Sequence, residues 1–186
     1  MNRINWLALF GWAGVSLGLL GPSHWGRARG QAGVVQLGAL NSRTPADWVE
    51  EKPDKALRYK QYRLEAVGDD KDSARLTVDF LGNRKSTAGE RVKRWKEMFL
   101  LPERRNMDDV AKVLELEVSA AKATYLDVRG DYKGIPGNHR TPRQNFRLLG
   151  VYFDAPEGRY LIHLFGPADT VEFYRRGFEH WVKGFK

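Results

Sequence analysis

Gly14-Val15-Ser16-Leu17-Gly18 spells the G-x-S-x-G elbow of the α/β-hydrolases, a motif that works by straining a serine out of a strand-to-helix turn within reach of a histidine and an acid. Here it lies inside an uncharged apolar run with no strand before it, so no catalytic residue is assigned. Asp69, Asp70 and Asp72 offer oxygens to a hard cation. A calcium loop counted from Asp70 would need Gly at its sixth place and Glu at its twelfth, where this chain has Arg75 and Leu81. Those acids read as a solvated turn. The four histidines, His24, His139, His163 and His180, show no H-x-H or H-x-x-x-H spacing, and neither a metal nor a cofactor is expected.

Three further stretches carry polar groups with a reason to meet a ligand. Gly166-Pro167-Ala168-Asp169-Thr170 opens a helix straight after a strand, where free N–H groups bind anions. Pro167 removes one of those donors and Asp169 already supplies a negative charge to the first turn, so architecture explains the stretch better. Asp131 to Gln144 (DYKGIPGNHRTPRQ) is the longest irregular segment of the folded part. Loops of more than ~12 residues inside compact domains are often binding segments, and this one offers Tyr132, Lys133, His139, Arg140 and Arg143 as candidate ligand or partner contacts. Its arginines suit a carboxylate or phosphate. Leu57 to Arg63 (LRYKQYR) interleaves tyrosines with basic residues as nucleic-acid-binding strands do, but Tyr59 and Tyr62 fall on opposite faces, and nucleic acid is not the expected partner.

The elements that must position these groups follow from periodicity. Phe146 to Phe153 and Tyr160 to Phe165 are apolar in both alternating sets, the pattern of strands in the middle of a sheet covered on both sides. Asp154 to Arg159, with Pro156 and Gly158, joins them as a hairpin. Before this pair come a short strand near Trp48, a mixed strand within Leu57 to Val67 that suits a sheet edge, and Ala74 to Leu81. Thr87 and Glu90 have capping-box spacing and open an amphipathic helix of about four turns carrying Val92, Trp95 and Phe99, stopped by Pro102. Val110 to Val118, with Leu114, Leu116 and Val118 inward, and Lys122 to Gly130 supply two more strands. A last helix has its apolar stripe at Val171, Tyr174, Phe178, Trp181, Val182 and Phe185. Three strands, a helix, four strands and a helix predict an α+β fold: an antiparallel sheet of about six or seven strands with one helix on each face.

The chain's ends and charge set its class. Residues 6–20 (WLALFGWAGVSLGLL) form an uncharged run preceded by Arg3, the length of a signal-peptide core and short for a span of ~20 residues. Residues 1–32 are therefore expected to be a signal peptide, with an N-terminal anchor as the alternative that Arg27 and Arg29 keep open. Residues 33–45, small and polar, read as a linker, and 46–186 as one α+β domain. No cysteine is present, which excludes disulfides and thiolate metal sites. The net charge is +8; setting aside the three arginines of residues 1–32 leaves 28 basic against 23 acidic residues, an excess that permits contact with a polyanion without requiring it.

The segments Tyr125 to Tyr132 (YLDVRGDY), Arg147 to Gly150 (RLLG), Pro156 to Tyr160 (PEGRY) and Gly166 to Val171 (GPADTV) resemble a set of uncharacterised exported bacterial proteins, from about Trp48 to the C-terminus. The order of strands and helices also resembles the PsbP-type α/β/α sandwich, in topology alone. The resemblance implies export and the sandwich fold and brings no activity with it. The expected function is an exported, non-enzymatic binding or accessory domain, with an envelope protein or an anionic polymer as partner. A secreted hydrolase whose residues are scattered in sequence, and electrostatic adhesion to an anionic envelope polymer or membrane, stand as alternatives.

Overall fold

The computed structural model describes residues 32–100, 106–119, 121–134 and 142–186. Nine strands and three helices lie within them: β1 (Val34–Leu37), β2 (Leu40–Arg43), β3 (Val49–Glu51), β4 (Arg58–Leu64), β5 (Ala74–Gly82), α1 (Ala88–Lys96), α2 (Met107–Val110), β6 (Ala111–Val118), β7 (Ala121–Tyr132), β8 (Arg143–Ala155), β9 (Gly158–Pro167) and α3 (Ala168–Lys183). Seven strands form one antiparallel sheet in the order β3-β4-β5-β9-β8-β7-β6. The expected α+β sandwich is thus the observed one. Two meanders, β3 to β5 and β6 to β9, meet where β5 pairs with β9. The chain leaving β5 must pass β9, β8 and β7 to reach β6, roughly 19 Å at the usual strand spacing. That crossing lays α1 under one face.

The hairpin β8–β9 sits in the middle of the sheet because both of its faces are apolar. Leu149, Val151, Phe153, Tyr160, Ile162 and Leu164 belong to the core under α3. Phe146, Leu148, Tyr152 and Leu161 belong to the core under α1. Two glycines permit the closest approaches. A Cβ on Gly150 would stand 2.9 Å from the Trp95 ring, and one on Gly166 would stand 2.7 Å from Cα of Ala74. The first lets the indole lie against the sheet, and the second lets β9 and the start of β5 come together.

The α3 stripe packs as its spacing requires: Val171, Tyr174, Phe178, Trp181, Val182 and Phe185 are all buried. Pro167 is the residue before the helix (φ −54°, ψ 140°) rather than in its first turn. The α1 capping box forms, with the Glu90 amide donating to Thr87 Oγ1 at 3.2 Å and the Thr87 amide donating to Glu90 Oε2 at 2.9 Å.

Four expectations need correction. Residues 33–45 are not a free linker. Val35 and Leu37 alternate inward and are fully buried, the Ser42 hydroxyl donates to the Trp181 carbonyl at 2.8 Å, and Asn41 and Lys186 exchange backbone hydrogen bonds of 3.0 and 3.1 Å. The β1–β2 hairpin therefore extends the cover that α3 provides. The helix after Thr87 has nine residues, about two and a half turns rather than four. Phe99 lies beyond it and bridges Tyr132, because the backbone there bonds to the end of β7: Leu100 N to Asp131 O at 2.7 Å and Lys133 N to Met98 O at 3.0 Å. Leu114 does not point into a core but is 40% exposed; β6 is the outermost strand of the sheet, beyond the cover of α1 and α3. The irregular stretch Asp131 to Gln144 is shorter than it reads, since β7 runs to Tyr132 and β8 starts at Arg143. The expected leader at 1–32 lies outside the described residues apart from Ala32. Among the described residues no helix is long and apolar enough to cross a membrane.

Candidate functional site

The two faces of the sheet are covered unequally. Seven strands span roughly 29 Å, and a nine-residue helix is about 13.5 Å long and 10 Å wide. On one side α3, with sixteen residues, is joined by the β1–β2 hairpin. On the other, α1 lies against β7 and β8 and leaves the β4–β5–β9 part of the face open. The result is a groove of about 890 Å³ between α1 and the loop before β4.

Its floor comes from side chains that alternate away from the α3 core: Thr77 on β5 and Leu161, His163 and Phe165 on β9. Leu148 and Tyr132 continue it towards β7, with Tyr132 and Phe165 rings 4.7 Å apart. The α1 bank is built from Arg91, Arg94 and Trp95, which share one helix face at i, i+3 and i+4, and from Met98 in the turn that follows the helix. Arg84, just past β5, adds to this bank. The opposite bank carries Arg58 and Arg75, already occupied: Arg58 Nε lies 3.1 Å from Asp79 Oδ1 and its Nη1 also meets Asp54, while Arg75 Nη1 lies 3.6 Å from the other Asp54 oxygen. Arg91 donates to the Ser86 hydroxyl at 2.7 Å. Among the described residues no carboxylate lies within ion-pair distance of Arg84, Arg91, Arg94 or Lys55. Uncompensated positive charge is therefore heaviest on the α1 bank, with Lys55 facing it across an apolar floor.

His163 sits under the edge of Trp95, ring centroids 5.1 Å apart and nearly perpendicular. Its Nε2 is shielded from solvent and has no hydrogen-bond partner. Burial disfavours the imidazolium and pulls the pKa from 6.5 down to about 4; the Asp79 carboxylate opposes this, and Arg58 and Arg91 reinforce it. At neutral pH the ring is an uncharged part of the floor.

The contact residues expected from sequence separate in space. Tyr132 closes the groove floor, its ring also packed against Phe99 and Phe146. Lys133 lies on the other flank of α1, in a second hollow of about 570 Å³ with Lys93 and Lys96. Arg143 is opposite Tyr132 in the β7–β8 pairing, its guanidinium 5.5 Å over the Phe146 ring and 3.9 Å from Asp72. His139 and Arg140 lie outside the described residues, as do the Gly14-Ser16-Gly18 elbow and His24.

Other singled-out residues have structural work. Asp70 caps α3: its Oδ2 accepts from the Thr170 amide at 2.8 Å and the Thr170 hydroxyl at 2.7 Å. The N-terminus that would attract an anion is thus already supplied with one. Tyr62 is buried against Trp48, and Lys60 and Arg63 pair with Glu50 and Glu51 at 2.6 and 3.3 Å, so LRYKQYR presents no free basic-aromatic face. Among the described residues no group of three or more His, Asp or Glu side chains is placed to hold a metal ion. The groove itself escaped sequence reading. Its one local signal was the Arg91, Arg94, Trp95, Met98 spacing, a second stripe beside the apolar one of α1.

No family model matches the chain, and no curated protein does. Among solved structures it is similar to cyanobacterial PsbP (CyanoP) from Synechocystis sp. PCC 6803, at 14% identity and a TM-score of 0.46 over 91% of this chain and 98% of that one. It is also similar to PA94, a protein of unknown function from Pseudomonas aeruginosa, at 13% identity and a TM-score of 0.43 over 81% and 93%. Nothing of what either protein does is carried to this chain.

Proposed function

We propose that this protein is an exported, non-enzymatic binding or accessory domain whose contact site is the groove beside α1. The observation that carries the reading is the unpaired arginine bank, Arg84, Arg91 and Arg94, set along an apolar floor that α1 is too short to cover. Three cations that meet no carboxylate among the described residues, on one edge of a concave site, favour an acidic ligand or partner. Binding is favoured over hydrolysis because the groove's histidine has its Nε2 withdrawn from solvent, and its carboxylates, Asp54 and Asp79, are held by Arg58. Export rests on the apolar run at 6–20 with its preceding Arg3.

A photo-crosslinking amino acid placed at Met98 in the groove, and separately at Phe173 on the exposed side of α3, tests this in the native cell. The full chain should fractionate with the envelope and give an adduct from Met98 that is absent from Phe173 and lost in R91Q/R94Q. The same adducts from both positions, or none from Met98, would overturn the groove as contact site. Recovery of the chain from the cytosol alone would overturn export.

A further inference from the structure

Resting on that reading, we infer that the groove takes a single-headed anionic amphiphile, an unbranched apolar body with a carboxylate at one end. The charge distribution argues against a ligand that is acidic along its length. Among the described residues the cations outside ion-pair distance of a carboxylate are Arg84, Arg91 and Arg94 on the α1 bank and Lys55 opposite, while Arg58 and Arg75 across the groove are paired with Asp54 and Asp79. An extended polyanion would lay its remaining charges against those carboxylates or over the floor of Leu148, Leu161 and Phe165, where an unpaired charge is costly. One acidic head avoids both.

The rest of the site suits the rest of such a ligand. The volume of about 890 Å³ is that of a pocket for a small organic molecule rather than a folded partner. Phe165 and Tyr132 give flat apolar surface backed by the buried Trp95 ring, and Met98 beside the arginines is unbranched and adapts to an irregular chain. Arg91 and Arg94, one turn apart on α1, present planar forks that a carboxylate meets with two oxygens.

Decanoate is the probe, used below its micellar concentration, with acetate as the head alone, decyl maltoside as the same chain under a neutral head, and poly-glutamate as a polar polyanion. The readout is the shift of the Trp95 indole and His163 ring resonances of the isotope-labelled full chain. Decanoate should move both saturably, bind at least ~10-fold tighter than decyl maltoside, and weaken by ~10-fold in R91Q/R94Q; acetate should leave them in place. A urea midpoint matching wild type shows that the variant is folded, and R94Q alone, at an exposed position, serves if it does not. Decanoate that leaves the groove resonances unmoved, that ignores the arginine substitutions, or that is matched by decyl maltoside overturns the inference. If poly-glutamate alone moves those resonances in an arginine-dependent way, the amphiphile is refuted while the groove stands as an acidic-ligand site. If neither probe acts there, both fall.

Discussion

Replacing His163 with leucine and following unfolding against pH isolates one consequence of the groove floor. The imidazole takes a proton near pH 6.5 in the unfolded chain and only near pH 4 in the folded one. Between those values the unfolded chain holds more protons, so folding stability is complete above pH 6.5 and is lost as pH falls towards 4. The gap from 6.5 to about 4 converts, at about 1.4 kcal/mol per decade of acidity, to a ceiling of about 3.5 kcal/mol. Because the ring keeps partial exposure, we expect about 1–2 kcal/mol at pH 4.5. Urea unfolding of wild type and His163→Leu at pH 7.5 and pH 4.5 gives the contribution by difference. Glu172, whose carboxyl the Arg175 and Arg147 guanidiniums hold down to about 2, weakens both proteins alike and only at lower pH. Parallel pH profiles for the two proteins, or a His163 ring titrating at 6 or above by NMR, would refute the reasoning.

Asp70→Ala removes both bonds to Thr170 and the negative charge at the start of α3, and should cost about 1–2 kcal/mol in denaturant unfolding, with Asp70→Asn recovering part of it. Gly166→Ala drives a Cβ into the backbone of Ala74 at 2.7 Å and should lose about 1–3 kcal/mol; a neutral result would mean that β5 and β9 separate freely. Phe178→Ala empties the core under α3, at an expected loss of about 3–5 kcal/mol by the same measurement. The loop is tested by Arg140→Ala/Arg143→Ala, which should weaken partner capture in the envelope if this segment is a second contact surface; unchanged capture removes it.

The sheet was legible where both faces of a strand are buried. Phe146 to Phe153 and Tyr160 to Phe165 admit few other placements, and the α3 stripe follows from spacing alone. Signals spread over few residues failed. The strands β1 and β2 have four residues each, and their composition resembles a linker because they are anchored by backbone exchange with Lys186 and by Ser42. The length of α1 is set by competition from β7 for the backbone of Met98 and Leu100, which no local pattern encodes. The Asp70 cap joins residues 100 positions apart, so its aspartate reads locally as one of three turn acids. The groove is harder still: Arg94, Thr77 and His163 come from three elements and converge only because the crossover places α1 off-centre on the sheet. What sequence could show was the spacing of Arg91, Arg94, Trp95 and Met98, the first three on α1 and the last just beyond it, whose meaning depends on what lies opposite.

The pairing of β5 with β9 bears on time as well as stability. Arg75 meets Phe165 and Phe80 meets Tyr160, so the two meanders join only after some eighty intervening residues have been made and arranged. Contacts this distant in sequence slow the search for the native state. During synthesis the β3–β5 meander waits with one edge unpaired until β9 arrives, a strand edge open to pairing with other chains. The last strand to arrive closes the sheet.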